Sequence, residues 1–114
     1  MENCIFCKII KGEIPATLVY EDDKVIAFKD IQPVAPVHVL IVPREHIANV
    51  NAINEDNASC LIDIHKAAQK IARDLGIADT GFRIINNCGA DAGQTVLHLH
   101  YHLIGGTHLG PKLI

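Results

Sequence analysis

Histidine occupies alternate positions in Thr95-Val96-Leu97-His98-Leu99-His100-Tyr101-His102-Leu103-Ile104. In an extended strand successive side chains point to opposite faces. His98, His100 and His102 would then share one face, and Leu97, Leu99, Tyr101 and Leu103 the other. One histidine in a strand is ordinarily a half-buried, hydrogen-bonded residue. Three in register open two chemistries: joint ligation of a metal, or a nucleophile flanked by proton-handling and anion-binding neighbours. The run follows Asn87-Cys88-Gly89-Ala90-Asp91-Ala92-Gly93. Gly89 and Gly93 permit backbone conformations that turn N–H groups toward an anion, and Gln94 and Thr95 add side-chain donors. An anion held at residues 93–95 would lie beside His100 and His102. A second constellation, Cys4-Ile5-Phe6-Cys7, has metal-ligand spacing and needs two more ligands.

These residues need a scaffold. A chain of 114 residues is read as one domain, residues 1–114, burying roughly two-thirds of its unfolded surface without cross-links. Its net charge of −3, with no Lys/Arg run, argues against a nucleic-acid groove or an anionic-membrane anchor but leaves individual nucleotides as ligands. No basic segment leads into a long apolar stretch, and nothing approaches a spanning run of about 18 apolar residues. The expected location is the cytoplasm, with the four cysteines reduced or metal-bound rather than paired in disulfides.

Residues 4–10 read as a short helix or turn broken by Lys11-Gly12 and Pro15. Val19-Tyr20 and residues 25–28 form two strands around the polar turn at residues 21–24. Pro33 and Pro36 keep residues 31–37 out of a ladder, and a third strand covers residues 38–42. Residues 43–47 are expected to open a short helical turn, and Asn54 to cap a long helix from Glu55-Asp56. Its stripe reads Ala58, Leu61, Ile62, His65, Ala68, Ile71, Ala72 and Leu75, with Gly76 as terminator. Residues 81–86 and the histidine run complete the strands. The order predicts an α+β domain with one long helix packed on a largely antiparallel sheet.

Together these residues resemble the histidine-triad family, in its branch of small purine nucleoside phosphoramidases. The resemblance runs through Ile5-Phe6-Cys7-Lys8-Ile9-Ile10, Glu13-Ile14-Pro15-Ala16, Tyr20-Glu21-Asp22-Asp23, Ala27-Phe28-Lys29-Asp30-Ile31 and Ala35-Pro36-Val37-His38. It continues through Asn87-Cys88-Gly89, Gly93-Gln94-Thr95-Val96 and His98-Leu99-His100-Tyr101-His102-Leu103-Ile104-Gly105-Gly106. It implies a homodimer that continues the sheet across two subunits, each with a purine nucleotide site. The implied activity is hydrolysis of the P–N bond of nucleoside 5′-phosphoramidates through a nucleotidyl-histidine, with no catalytic cofactor.

Under that resemblance His100 attacks the α-phosphorus. A histidine with a pKa of about 6.5 is largely neutral near pH 7, and the family holds the ring's other nitrogen on a backbone carbonyl of the same strand, which selects the attacking tautomer. His102 and His38 match positions around the phosphate. Thr95 matches a serine on the phosphate or leaving group, keeping the hydroxyl and adding a methyl. Asp30 matches the carboxylate on the ribose, and Asn87, Gly93 and Gln94 match groups around ribose and phosphate. Phe6, Ile9, Phe28 and Ile31, by pattern ordinary core, match the base pocket. Some members complete a structural zinc site with residues that here would be Cys4, Cys7, His46 and His98. His65, Cys60, Cys88 and His108 are weaker candidates for chemistry. The chain has no Trp, so the tryptophan-bearing tail of eukaryotic members, and the amine-side specificity it confers, does not carry over. Three other readings stand beside this one: a dinucleoside polyphosphate hydrolase, a nucleotide-binding regulatory dimer with incidental hydrolysis, and a catalytic zinc site made by the three imidazoles.

Overall fold

The computed structural model describes residues 3–114. A short helix α1 (Ile5–Ile10) leads into strands β1 (Leu18–Glu21), β2 (Val25–Lys29) and β3 (Val37–Pro43). The long helix α2 (Ser59–Asp74) follows, then β4 (Phe82–Ile85) and β5 (Tyr101–Gly105), with single 3-10 turns at Val50–Ala52 and Ala90–Ala92. All five strands form one antiparallel sheet in the order β1-β2-β3-β5-β4. The architecture is the expected α+β arrangement.

Both sheet faces are covered at the centre. Four of the five β2 residues and six of the seven β3 residues are therefore buried, giving continuous apolar runs instead of alternation. Val25, Ala27, Val39, Ile41 and Leu103 pack with α2. Ile26, Phe28, Leu40 and Val42 face α1 through Phe6, with Ile9 and Ile10 packed beside them. The β3–β5 register sets His102 opposite Leu40, on the α1 face. His38, two residues before Leu40, points the same way.

Turn chemistry sets the element ends. Asp22 Oδ1 accepts the N–H groups of Lys24 and Val25 at 2.7 and 2.8 Å, and Oδ2 takes the Tyr20 hydroxyl at 2.6 Å. Although burial pushes the Asp22 carboxyl up, these bonds and Arg44 hold it below the ordinary range. The expected helical turn at residues 43–47 is absent. Pro43 ends β3 and residues 44–45 form a bend. Asn54 accepts from Asp56 and Asn57 as a cap would, yet it closes a separate turn and α2 begins only at Ser59. Gly76, at φ +75°, terminates the helix.

The helix stripe is rotated from the expected one. Cys60, Ile64, Ala67, Ala68, Ile71 and Ala72 are buried, whereas Ile62 is 59% exposed and His65 turns outward to donate from Nδ1 to the Leu61 carbonyl at 2.7 Å. The i, i+4, i+7, i+8, i+11, i+12 series from Cys60 is continuous and small enough for close approach to the sheet. The series that includes Ile62 and His65 is not. Because Ile64 is fully enclosed between α2 and the sheet, Ile64→Ala is expected to cost roughly 2–5 kcal/mol. The check is a lower urea midpoint at unchanged slope.

Candidate functional site

The histidine run is not one strand. Residues 96–98 form a bend, residues 99–100 carry no regular structure, and β5 starts at Tyr101. Local bonds explain the departure. The Gln94 amide takes the Val96 carbonyl at 3.0 Å, the Leu99 N–H goes to the Ile47 carbonyl at 2.6 Å, and the His98 ring turns toward the N-terminal cysteines. Leu97 is 64% exposed as a result instead of joining Leu99 and Leu103 in the core. The three imidazoles nonetheless stay on one side. The Phe6 ring meets His98 and His100 edge-on with centroids 5.9 and 5.0 Å away, and His100 and His102 lie 5.4 Å apart.

Hydrogen-bond partners fix the tautomers, because a carbonyl only accepts and a backbone N–H only donates. His100 Nδ1 lies 2.7 Å from the His98 carbonyl, so it carries the proton and Nε2 keeps a lone pair, as the resemblance implied. The Val34 N–H points at His38 Nδ1 from 3.1 Å, which puts the neutral ring's proton on Nε2. That Nε2 is 2.9 Å from His102 Nδ1 and 3.3 Å from Asp30 Oδ2. Neutral His102, accepting at Nδ1, therefore carries its proton on Nε2. Burial, followed by the neighbouring His100 and His38 rings, holds His102 below the ordinary imidazole range, with Asp30 opposing. Asp30, His38 and His102 are spaced closely enough for a metal, but the Val34 contact makes His38 Nε2 a donor and so not a ligand.

Cys4, Cys7, His46 and His98 behave oppositely. His98 is fully buried and held neutral by burial. It donates Nε2–H to the Pro43 carbonyl at 2.9 Å, leaving the Nδ1 lone pair facing Cys4 Sγ at 3.3 Å, Cys7 Sγ at 3.5 Å and His46 Nδ1 at 3.1 Å. Cys7 Sγ and His46 Nδ1 are 3.4 Å apart. A tetrahedral zinc with ordinary bond lengths separates two nitrogens by about 3.3 Å and a nitrogen from a sulfur by about 3.6 Å, so this donor set fits. Cys4 also caps α1, its sulfur accepting the Cys7 N–H at 3.4 Å. None of the four cysteines is paired in a disulfide.

Phe6, Ile9, Phe28 and Ile31 line one cavity of roughly 580 Å³ together with Asp30, and Leu40 and residues 14–17 add to its wall. Ile31 is 95% exposed at its mouth. Thr95 lies on a separate cleft with Cys4, Ile5, His46, Val96 and Leu97, and Ile5 touches both. Asn87 and Cys88 are half-buried on the loop between β4 and β5. The glycine loop departs from expectation. The Gly93 N–H is spent on the Ala90 carbonyl and the Gln94 N–H on the Gly89 carbonyl, at 3.0 and 3.1 Å, because the 3-10 turn closes on itself. The Gln94 side chain is likewise engaged inward, accepting from the Gly89 N–H and donating to the Ala48 and Val96 carbonyls. It works as a staple between three segments, and among the described residues the Thr95 hydroxyl has no hydrogen-bond partner. The sequence reading missed Gln94's staple, the Val34 N–H and Asn86. A polar residue directly after an apolar strand was the only signal for Asn86. His108 is exposed in the tail, and among the described residues no helix is long and apolar enough to cross a membrane.

Comparison with known proteins agrees with this geometry. Residues 11–109 match the HIT domain. The purine nucleoside phosphoramidase of Escherichia coli K12 is 47% identical over 112 residues, covering 98% of this chain and 94% of that protein. A HIT family hydrolase from Clostridium thermocellum superposes with a TM-score of 0.98 at 68% identity, covering 100% of this chain and 99% of the other. A histidine triad protein from Clostridium difficile gives 0.95 at 50% identity, over 98% and 97% of the two chains. With the domain match spanning all of the sheet and the imidazole array in place, the chain belongs to the histidine-triad (HIT) family, alongside its hydrolases.

Proposed function

We propose that the protein hydrolyses the P–N bond of purine nucleoside 5′-phosphoramidates through a nucleotide carried on His100. The observation that carries this is the 2.7 Å bond from His100 Nδ1 to the His98 carbonyl, which aims an Nε2 lone pair from a ring that cannot swap its proton without losing a partner. Attack by Nε2 on the α-phosphorus forms a P–N(imidazole) bond and breaks the P–N(amine) bond. The departing amine takes its proton from solvent, while His102 Nε2–H, whose tautomer His38 maintains, donates a hydrogen bond to the phosphoryl oxygens. Water then breaks the P–N(imidazole) bond, releases the nucleoside monophosphate and returns the proton. The apolar cavity around Phe6 and Phe28 accepts the base, Asp30 the ribose and Thr95 the phosphate or leaving group. A homodimer belongs to the same reading, with β1 and β4 as the sheet's edge strands.

The deciding measurement is a steady-state comparison on metal-analysed protein. Adenosine 5′-phosphoramidate is expected to turn over faster than diadenosine polyphosphates, and the reverse order moves the assignment to a polyphosphate hydrolase. Tight nucleotide binding with negligible turnover of either moves it to a regulatory binding protein.

The site also predicts a pH signature. Protonation of His102 removes its Nδ1 acceptor, so the acid limb of kcat/KM is expected below about pH 6.5, following the downward shift of that group. Asp30 is the neighbour that favours the imidazolium. Asp30→Asn should therefore move the limb further toward acid, and a limb that moved upward would contradict the arrangement.

We also propose that Cys4, Cys7, His46 and His98 hold a structural zinc ion. Four protein ligands close the coordination sphere and leave no position for substrate. The metal's contribution is to tie α1 to the segment that leads into β5.

A further inference from the structure

The candidate nucleophile lies just outside the sheet. The pairing of β5 with β3 ends at Ile41 and Tyr101, and its pairing with β4 ends at Ile85 and His102. His100 thus has no ladder partner on either side. Extending the β4 register by two residues would bring Asn87 opposite His100, but the backbone leaves the sheet after Ile85. In place of the missing backbone donor, the Asn86 side chain donates Nδ2–H to the His100 carbonyl at 3.0 Å. The orientation of that amide is fixed by its partner, since only the nitrogen end can bond a carbonyl. The preceding residue is held from the other direction by the Leu99 N–H on Ile47.

We propose that Asn86 is a positioning residue for the reaction: its side-chain amide replaces the absent ladder bond and fixes the His100 peptide, so that the imidazole keeps its place against the α-phosphorus. The proposal rests on His100 being the nucleophile. The amide is half-buried and neutral, is not part of the wall of the cavity around Phe6 and Phe28, and acts through its bond to the His100 backbone. Displacement of a reacting group on the order of 1 Å costs roughly 100-fold in rate. The effect therefore belongs on the rate of nucleotidyl transfer and not on nucleotide binding.

The test uses the full chain with Asn86→Leu, which keeps the shape and removes the donor, and Asn86→Asp, which keeps the shape and polarity and sets a carboxylate against the carbonyl. Single-turnover formation of the nucleotidyl adduct from adenosine 5′-phosphoramidate is expected to slow by about 10- to 100-fold in both, while the Kd for AMP and the KM stay within about threefold. Asn86→Gln, which restores an amide donor, should recover part of the rate. If Asn86→Leu does not fold, Asn86→Asp reads the same rate. A wild-type adduct rate in the folded variants overturns the proposal, as does a parallel loss of AMP affinity and rate, which would mark general loosening. His100→Ala is measured alongside. Inert His100→Ala with an unimpaired Asn86→Leu overturns the positioning role alone. Turnover by His100→Ala overturns the nucleophile reading and this proposal with it.

Discussion

Purified His100→Ala protein is expected to lose turnover of adenosine 5′-phosphoramidate by on the order of 10,000-fold or more, while binding AMP nearly as well as wild type. The size follows from the site's design. No other ring of the triad or His38 offers an uncommitted nitrogen lone pair, since His102 carries its proton on Nε2. His98 has its Nε2 on Pro43 and its Nδ1 in the thiol cluster. His38 accepts from Val34 at Nδ1 and donates from Nε2. His102 is acceptor to His38 at the ring position nearest it. No neighbour can take over attack by a small rotation. Brief reaction of wild type with a slow phosphoramidate should leave a nucleotidyl group that peptide mass spectrometry places on residue 100. The same treatment of His100→Ala should leave none. Full activity in the variant would remove covalent catalysis from the mechanism. An adduct on His98 or His102 would move the nucleophile.

The sheet and its order of elements were legible because the signals are local and agree with one another. Apolar runs at residues 25–28 and 38–42, prolines at 33 and 36 and the glycine at 76 each punctuate the chain where the structure does. That Phe6, Ile9, Phe28 and Ile31 share a cavity wall and that Cys4, Cys7, His46 and His98 converge was anticipated only through resemblance, and spacing alone would have left them as ordinary core and a lone cysteine pair. What stayed hidden was nonlocal. Regular alternation from Leu97 to Leu103 fits a strand perfectly, yet the Leu99 N–H finds Ile47, far away in sequence, and the His98 ring finds Cys4 and Cys7. Those partners outweigh the first few ladder bonds a longer β5 would have made. The glycine loop was legible only as a turn: Gly89 and Gly93 do take positive φ, and the turn they permit ties the Gly93 and Gln94 N–H groups to carbonyls within the loop. Tautomers were beyond sequence altogether, since one backbone N–H at Val34 decides that Asp30, His38 and His102 manage protons while a nearby group of similar composition offers lone pairs.

Removing the metal from the Cys4, Cys7, His46 and His98 site, by a strong chelator or by Cys7→Ser, is expected to lower both stability and rate. A ligand present at a thousand times its Kd stabilises the folded chain by about 4 kcal/mol, which for a domain of this size is roughly 15–25 °C in Tm. The loss should appear by calorimetry together with release of one zinc per chain. The effect on rate comes through one residue. His98 gives its ring to the cluster and its carbonyl to His100 Nδ1, so slackening the ring's anchor loosens the acceptor that holds the nucleophile's tautomer. The stripped protein, assayed well below its new Tm, should show a lower kcat, and histidine nitrogen shifts should report His100 exchanging between tautomers. Readdition of zinc should restore both in the wild type and neither in Cys7→Ser. A wild-type protein that carries no metal as purified and takes up none would overturn the zinc assignment. If zinc leaves, Tm falls and kcat does not move, then the Pro43 carbonyl alone is sufficient to hold His98, and the cluster serves stability only.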